Sequence, residues 1–593
     1  MLSPLRSLSA AMSCLLALTS LTLISHAQNV TTWHNDNNRT GWQQNETILT
    51  PSVVQTNFGL LWQWPVKGQV RAQPLAVTLP QSVGTCNNPC SLVFIATEQD
   101  MLYAFNAASN SQTPVWSLDL GQAGGGTAVD CAYLQTINVY FGPCDPAAPP
   151  IGGYVGITGT PVIDTIVTPD ILFVVGVVQI PTSPLPTFAY DVFAVNITSG
   201  TVLAQAPIAG SVNGKQPVDS NHRCTSTYPA QGQRTFDPTV HLQRPGLLLL
   251  GSTVYVGFAP FPEFNNGWLF AYSYTGTSFS QTAAFNSTPY GSGGGIWQSG
   301  AGPASDGTSI FAATGNGTTF DVITGKPIDV GDSLLKLDPS TLAILDYYTP
   351  SDVFTFPPIP PKTTPGRCFN DIDLASGGIL LIPDVFYNGR NLVVNADKES
   401  KLYVADKASL GQFNPNGGNN IQVIQSPLPL RDSGQGYWAS PAYWKYTTGS
   451  ATTYMLYYSA TDQNNTVQPL PINGYQLLTG GSSGPIPSQY TSTSTLFCYH
   501  SPTPSVSSNG TMSGSGIVWA IEDQNASNPT SCRGAFPGPA ALHAFNATNL
   551  QQELYSSRGI TTAITVGFAT PTIFQGRVYM GTHTEVDVFG LLH

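Results

Sequence analysis

Internal repetition constrains this chain more than anything else. A proline-led strand start recurs as Gln73-Pro74-Leu75, Thr160-Pro161-Val162, Asp237-Pro238-Thr239, Gly302-Pro303-Ala304, Ser440-Pro441-Ala442, Thr503-Pro504-Ser505 and Thr570-Pro571-Thr572. An eighth, Ser376-Gly377-Gly378-Ile379, lacks the proline. Proline has no N–H for a strand ladder, so it fits the first residue of a strand. Each start leads into a β-branched and aromatic run such as Val93-Phe94-Ile95-Ala96-Thr97, then into a second such as Leu102-Tyr103-Ala104-Phe105-Asn106. The spacing runs from 63 residues (Pro441 to Pro504) to 87 (Pro74 to Pro161). Eight units of four antiparallel strands read as an all-β fold, an eight-bladed β-propeller, because radial stacking covers both faces of every sheet. The last unit ends at Val586-Asp587-Val588-Phe589 without room for a fourth strand, and Leu60-Leu61-Trp62-Gln63-Trp64 is the candidate to supply it and close the ring.

Residues 1–27 read as a signal peptide, with Arg6, an apolar run from Leu15 to Ile24, and Ser25-His26-Ala27 at the cleavage site. Residues 28–593 then form a single propeller domain, secreted or periplasmic, with no membrane span expected. Eight cysteines remain after Cys14. In an exported chain an even count favours disulfides, with Cys86–Cys90 and Cys131–Cys144 as local pairs. Several Asn-x-Ser/Thr sequons, among them Asn29, Asn196, Asn286 and Asn546, offer glycosylation acceptors. The net charge of −12 and the absence of a Lys/Arg cluster exclude nucleic acid as an expected partner.

In a propeller the residues just before each inner strand converge on one mouth of the central channel. Here they include Gln69, Arg71, Trp297, Asp371, Asp373, Tyr437, Trp438 and His500, a mixed polar and aromatic ring suited to a ligand. The stretch Gly293-Gly294-Gly295-Ile296-Trp297 offers an aromatic face, and Gly315-Asn316-Gly317 ends a β-run with an oxygen donor between glycines. The insert from Gly121 to Gly153 and the Pro-rich piece Phe356 to Pro365 are candidate lids or surface decoration.

The repeat core, with a tryptophan about ten residues on, resembles the repeats of quinoprotein alcohol dehydrogenases, the pyrroloquinoline quinone (PQQ) family. The opening Trp33-His34-Asn35-Asp36-Asn37-Asn38-Arg39-Thr40-Gly41 is similar to that of exported PQQ-repeat proteins. The resemblance implies roles for particular residues. Glu263 and Asn316 would bind calcium, Trp297 would stack on the quinone, and Lys398, in Asp397-Lys398-Glu399, would touch its carbonyls. The family's catalytic aspartate precedes the repeat core that corresponds to Leu334-Leu335-Lys336-Leu337, where Asp329 or Asp332 would be the base, Asp329 slightly preferred. The implied activity is oxidation of an alcohol or sugar with an external electron acceptor. No Cys-x-x-Cys-His is present, so no haem is expected, and the adjacent cysteine pair of many such dehydrogenases is missing. A glycine-flanked tryptophan also serves blade packing, and Asn, Glu and Lys in loops also serve turns and surface ion pairs. The alternative is therefore a non-catalytic secreted propeller that binds a protein or a glycan.

Overall fold

The computed structural model describes residues 29–592 apart from 145–152, 215–231, 262–264, 318–328, 352–372, 399–400, 415, 419, 426–434, 437, 463–468, 499–500 and 525–536. The strands form an eight-bladed propeller of mainly four-stranded antiparallel sheets. Blade 1 comprises Leu75–Leu79, Cys90–Ala96, Met101–Asn106 and Trp116–Asp119 in spatial order. The inner strands of blades 2 to 8 are Val162–Asp164, Leu248–Leu250, Ala304–Ser305, Leu380–Tyr387, Ala442–Thr448, Ser505–Ser507 and Thr572–Phe574. The second strands are continuous apolar runs. Every residue of Cys90–Ala96 is buried, as expected of a sheet covered on both faces.

The ring closes as the repeat requires. Phe58–Pro65 lies antiparallel to Glu585–Leu591 and completes blade 8. Trp64 stacks on Phe105 of blade 1 at 4.6 Å and on Tyr579 of blade 8 at 5.8 Å, so one indole bridges the seam. Cys86–Cys90 and Cys131–Cys144 are both disulfide-bonded. Among the described residues no helix is long and apolar enough to cross a membrane. The leader and the Pro-rich piece lie outside the described residues.

The third blade departs from the sequence reading. Asp237-Pro238-Thr239 does not open a strand. The Asp237 carboxylate accepts from the Thr239 amide at 2.9 Å and starts the 3₁₀ turn Pro238–Val240. An aspartate that bonds the backbone two residues on favours such a turn over a strand. The positional counterpart of the other starts is Gln243-Arg244-Pro245, just before Leu248–Leu250.

The residues before the inner strands do converge. The Gln73 amide donates to Thr160 Oγ1 and the Leu247 amide to the Thr160 carbonyl. Gly246 donates to the Gly300 carbonyl, Ser299 Oγ to the Ser376 carbonyl, and the Ser440 amide to Thr503 Oγ1. Ser505 Oγ then reaches the Pro571 carbonyl and Thr572 Oγ1 the Pro74 carbonyl. Between Ser376 and Ser440, Gly378 presses against the Ser440 hydroxyl, so the belt runs through all eight blades.

Beneath this belt the opening segment winds around the channel and visits the blades in order. Val30 exchanges two backbone hydrogen bonds with Ala76 of blade 1, and Thr31 accepts from Ile163 of blade 2. Asn37 donates to the Leu249 carbonyl of blade 3 and accepts from Ser305 of blade 4. Asn38, Thr40 and Gly41 accept from Leu381, Tyr443 and Val506, and Gln43 donates to Ile573 of blade 8. Arg39, with no exposed surface, reaches Thr32, Trp33, Leu247 and Pro303. The segment pairs the inner edges of the strands, which would otherwise stand open along the channel.

Blade 7 holds a buried charged cluster. His543 Nδ1 lies 2.6 Å from Glu553 and Nε2 lies 3.0 Å from Glu522, which Arg558 also grips. Burial alone would lower the His543 pKa, but the hydrogen bonds to Glu522 and Glu553 outweigh it and raise the value above 6.5. A folded pKa above the unfolded one means the native state holds the proton more tightly. This stabilisation is therefore full below the ordinary histidine range and is lost as pH rises through the elevated value. The expected result is a fall in urea midpoint from pH 6 upward that a His543→Gln variant does not show. An identical slope in both proteins would contradict it.

Candidate functional site

Two glycine-rich stretches build one edge of the mouth. Positive φ at Gly293 and Gly294 folds the first against the second, with the Gly294 amide donating to the Asn316 carbonyl at 2.6 Å and Gly315 to the Gly295 carbonyl at 2.8 Å. A Cβ at Gly293 would lie 2.1 Å from that Asn316 oxygen, so only glycine allows this approach. The half-buried Trp297 follows, with Phe261 perpendicular to it at 5.1 Å.

Asn316 is held by Asp373 through a reciprocal pair. The Asn316 amide N–H donates to Asp373 Oδ1 at 2.7 Å, and Asn316 Oδ1 accepts from the Asp373 amide at 2.9 Å. Asp373 Oδ2 pairs with Lys398 Nζ at 2.6 Å, and both side chains are 5% exposed. The same ammonium lies 4.2 Å from the centre of the Trp438 ring. Asp397 fixes this turn by accepting from the Lys401 amide and the Tyr403 hydroxyl. Asn316 is 4% exposed with its amide folded into the turn, so it does not present itself as a glycan acceptor despite heading a sequon.

Asn316 and Lys398 thus meet on Asp373, and Trp297 lies beside this hub across Gly315. Glu263 lies outside the described residues. The described residues on either side of it adjoin the Trp297 stretch, Phe261 through the ring contact and Asn265 through its carbonyl, which accepts from Gly293 at 2.9 Å. Asp332 lies beside the hub. Its amide donates to the Gly315 carbonyl, and its carboxylate accepts from the Leu374 amide at 3.3 Å. Asp329 is one step further away, accepting from the Tyr290 amide at 3.0 Å. Of the ring foreseen at the mouth, Asp371, Tyr437 and His500 lie outside the described residues. Asp373 itself stood in that ring without a chemical role. Its signal was a carboxylate immediately before the one start that lacks proline.

Residues 121–144 of the insert border this edge. Cys131, Leu134, Phe141 and Cys144 are buried with Phe258 in the core between blades 2 and 3, and Gly142 abuts the Phe261 carbonyl so closely that a Cβ would lie 2.1 Å from it.

Gly315 supplies a test of the hub. A Cβ there would lie 2.0 Å from Asp373 Oδ1. Gly315→Ala is expected to push Asp373 off Asn316 and to destabilise the fold by about 1–3 kcal/mol, measured by chemical denaturation. A change well below that range would mean that the hub is loosely held.

No protein-family profile matches the chain, and no curated protein matches it by sequence. Solved structures do. The quinohemoprotein alcohol dehydrogenase ADHIIG of Pseudomonas putida HK5 superposes with a TM-score of 0.55 at 11% identity, over 95% of this chain and 80% of that one. The fold is that of the quinoprotein dehydrogenase propellers. The quinohemoprotein alcohol dehydrogenase of Comamonas testosteroni gives 0.53 at 12% identity over the same shares. A europium-containing methanol dehydrogenase gives 0.51 at 12% identity, over 95% of this chain and 98% of that one. At these identities the likeness to quinoprotein propellers is one of fold.

Proposed function

We propose that this chain is an exported quinoprotein-like oxidoreductase that oxidises an alcohol or sugar with PQQ and a hard cation, passing electrons to an external acceptor. The observation that carries the reading is that Asn316 and Lys398 meet on Asp373, with Trp297 beside them across Gly315, at one mouth of the channel.

The residues fit the groups in chemical type. Trp297 offers a rigid aromatic face. The Asn316 amide oxygen and the Asp373 carboxylate are hard oxygen donors set side by side, as calcium or a lanthanide prefers. Further donors would come from Glu263 and from the ligand. When bound, the quinone supplies the hydride acceptor. Asp373 would take the substrate hydroxyl proton, since its carboxylate stands between Asn316 and Lys398. Lys398 would place positive charge where negative charge develops. Among the three aspartates we prefer Asp373 to Asp329 or Asp332 as the base, because its carboxylate meets both Asn316 and Lys398. The belt and the opening segment beneath it close the floor and limit water there.

The test is reconstitution of the purified protein with PQQ and calcium, or europium, and dye-coupled oxidation of a panel of alcohols and sugars. Turnover that needs both additions is expected. Quinone binding without turnover on any substrate would favour the non-catalytic module.

A further inference from the structure

Across the axis from Asp373 the mouth carries a second set of buried charges. Arg71 precedes blade 1, and its Nε lies 3.0 Å from Glu98 Oε1. Glu98 is otherwise engaged with blade 2, where its Oε2 accepts from the Gly156 amide at 3.1 Å and the Thr158 hydroxyl at 2.9 Å. Arg244 precedes blade 3 and is 7% exposed. Its guanidinium lies over the Phe568 ring of blade 8 at 4.6 Å and against Gly300, three residues after Trp297. Arg244 therefore reaches across the mouth and joins the edge that carries Trp297. Its Nη2 makes no hydrogen bond, and neither amide atom of the buried Gln69, next but one to Arg71, has a partner.

Glu98 thus pairs with Arg71, and Arg244 feels that carboxylate only at longer range. Burial, and after it the charge of Arg71, lowers the Arg244 pKa to about 9 against the opposing pull of Glu98. Burial and Arg71 likewise lower the pKa of the neighbouring His583, which adds no counter-charge. A buried donor without a partner carries a desolvation cost that is recovered when a ligand supplies the acceptor. The acceptor that matches a planar guanidinium fork is a carboxylate.

We propose that Arg244, with Arg71 and Gln69, forms a subsite for the carboxylate of an anionic hydroxy compound, such as a sugar acid or hydroxy acid. That such a compound is the substrate rests on the oxidoreductase reading above; its binding does not. A ligand anchored there would extend toward Trp297 and Asp373, and a neutral alcohol would leave Arg244 Nη2 bare.

The test is calorimetric titration of the full chain, without quinone, with gluconate and with glucose. Gluconate is expected to bind at least about tenfold more tightly, the range of one charge-assisted hydrogen bond. Arg244→Met should abolish that preference, and Arg244→Lys, which keeps the charge and loses the fork, should weaken it. Thermal melting identifies any variant that has not folded, and the lysine variant then decides. Equal binding of gluconate and glucose, or an unchanged preference in both variants, overturns the proposal. Inorganic phosphate binding as tightly as gluconate overturns the carboxylate assignment. A parallel titration with PQQ, itself a carboxylate, separates the sources. If Arg244→Lys weakens PQQ alone and no gluconate preference exists, the arginines serve the cofactor and the proposal fails. Because gluconate binding needs no quinone, an absence of dehydrogenase turnover leaves this result readable.

Discussion

Arg39→Ala is expected to destabilise the propeller by about 3–5 kcal/mol, the range for removing one partner of a buried charge network. The guanidinium is fully buried and donates to Thr32, to the Trp33 and Leu247 carbonyls, and twice to the Pro303 carbonyl. It ties the opening segment to blades 3 and 4 at the channel axis. Its loss leaves those acceptors without a donor, opens a cavity, and removes the cation that offsets the half-buried Asp36, whose pKa desolvation already raises. Arg39→Lys keeps the charge but cannot span the four partners, so a smaller loss is expected. Urea denaturation of the two variants beside the native chain checks this. A loss below about 1 kcal/mol for the alanine variant, the worth of an ordinary surface contact, would mean that the opening segment decorates the channel and does not hold it.

The second large effect concerns Asp373. Asp373→Asn keeps the shape and an oxygen to accept from the Asn316 amide, but loses the charge that faces Lys398 and with it the proposed proton-accepting role. In the reconstituted enzyme kcat is expected to fall by about 10²–10⁴, the usual contribution of a positioned base. Asp329→Asn is expected to stay within about tenfold of native, since its role is to hold the Tyr290 amide and no positioned base is lost. Asp332→Asn should fall between the two, because its carboxylate supports the Leu374 turn beside the hub. The reverse order, with Asp329→Asn inactive and Asp373→Asn active, would return the base to Asp329.

The fold was legible because its determinants are local. Proline marks strand entry, β-branched runs mark fully buried strands, and Leu60 to Trp64 was the one unassigned strand with the pattern to complete blade 8. Cys86–Cys90 and Cys131–Cys144 followed from short spacing. Blade 3 was misplaced by one proline because Asp237 can bond its own backbone, and from sequence a turn of that kind looks like a strand entry. The role of the opening segment was not legible. Its contacts are one or a few hydrogen bonds to each of eight distant strands, made by a chain with left-handed φ at His34, Asn35 and Arg39 and no periodic pattern. That Trp297, Asn316 and Lys398 lie near one another was legible, because each sits in a turn of distinctive composition. Asp373 was visible as a position but not as a hub, since its partners Asn316 and Lys398 lie 57 residues before it and 25 after it. Arg244 was hidden by the same blade 3 error, which removed it from the ring at the mouth.

The central claim is that the Trp297–Asn316–Asp373–Lys398 edge receives a quinone beside a hard cation. Its most direct measurement is quenching of tryptophan fluorescence as PQQ is added to the cofactor-free protein, with and without calcium or europium. The account predicts saturable binding of one quinone per chain that needs the cation, with the Trp297→Ala and Asn316→Ala variants binding far more weakly while remaining folded. Binding that ignores the cation and both substitutions, or none at all at high quinone concentration, would contradict it.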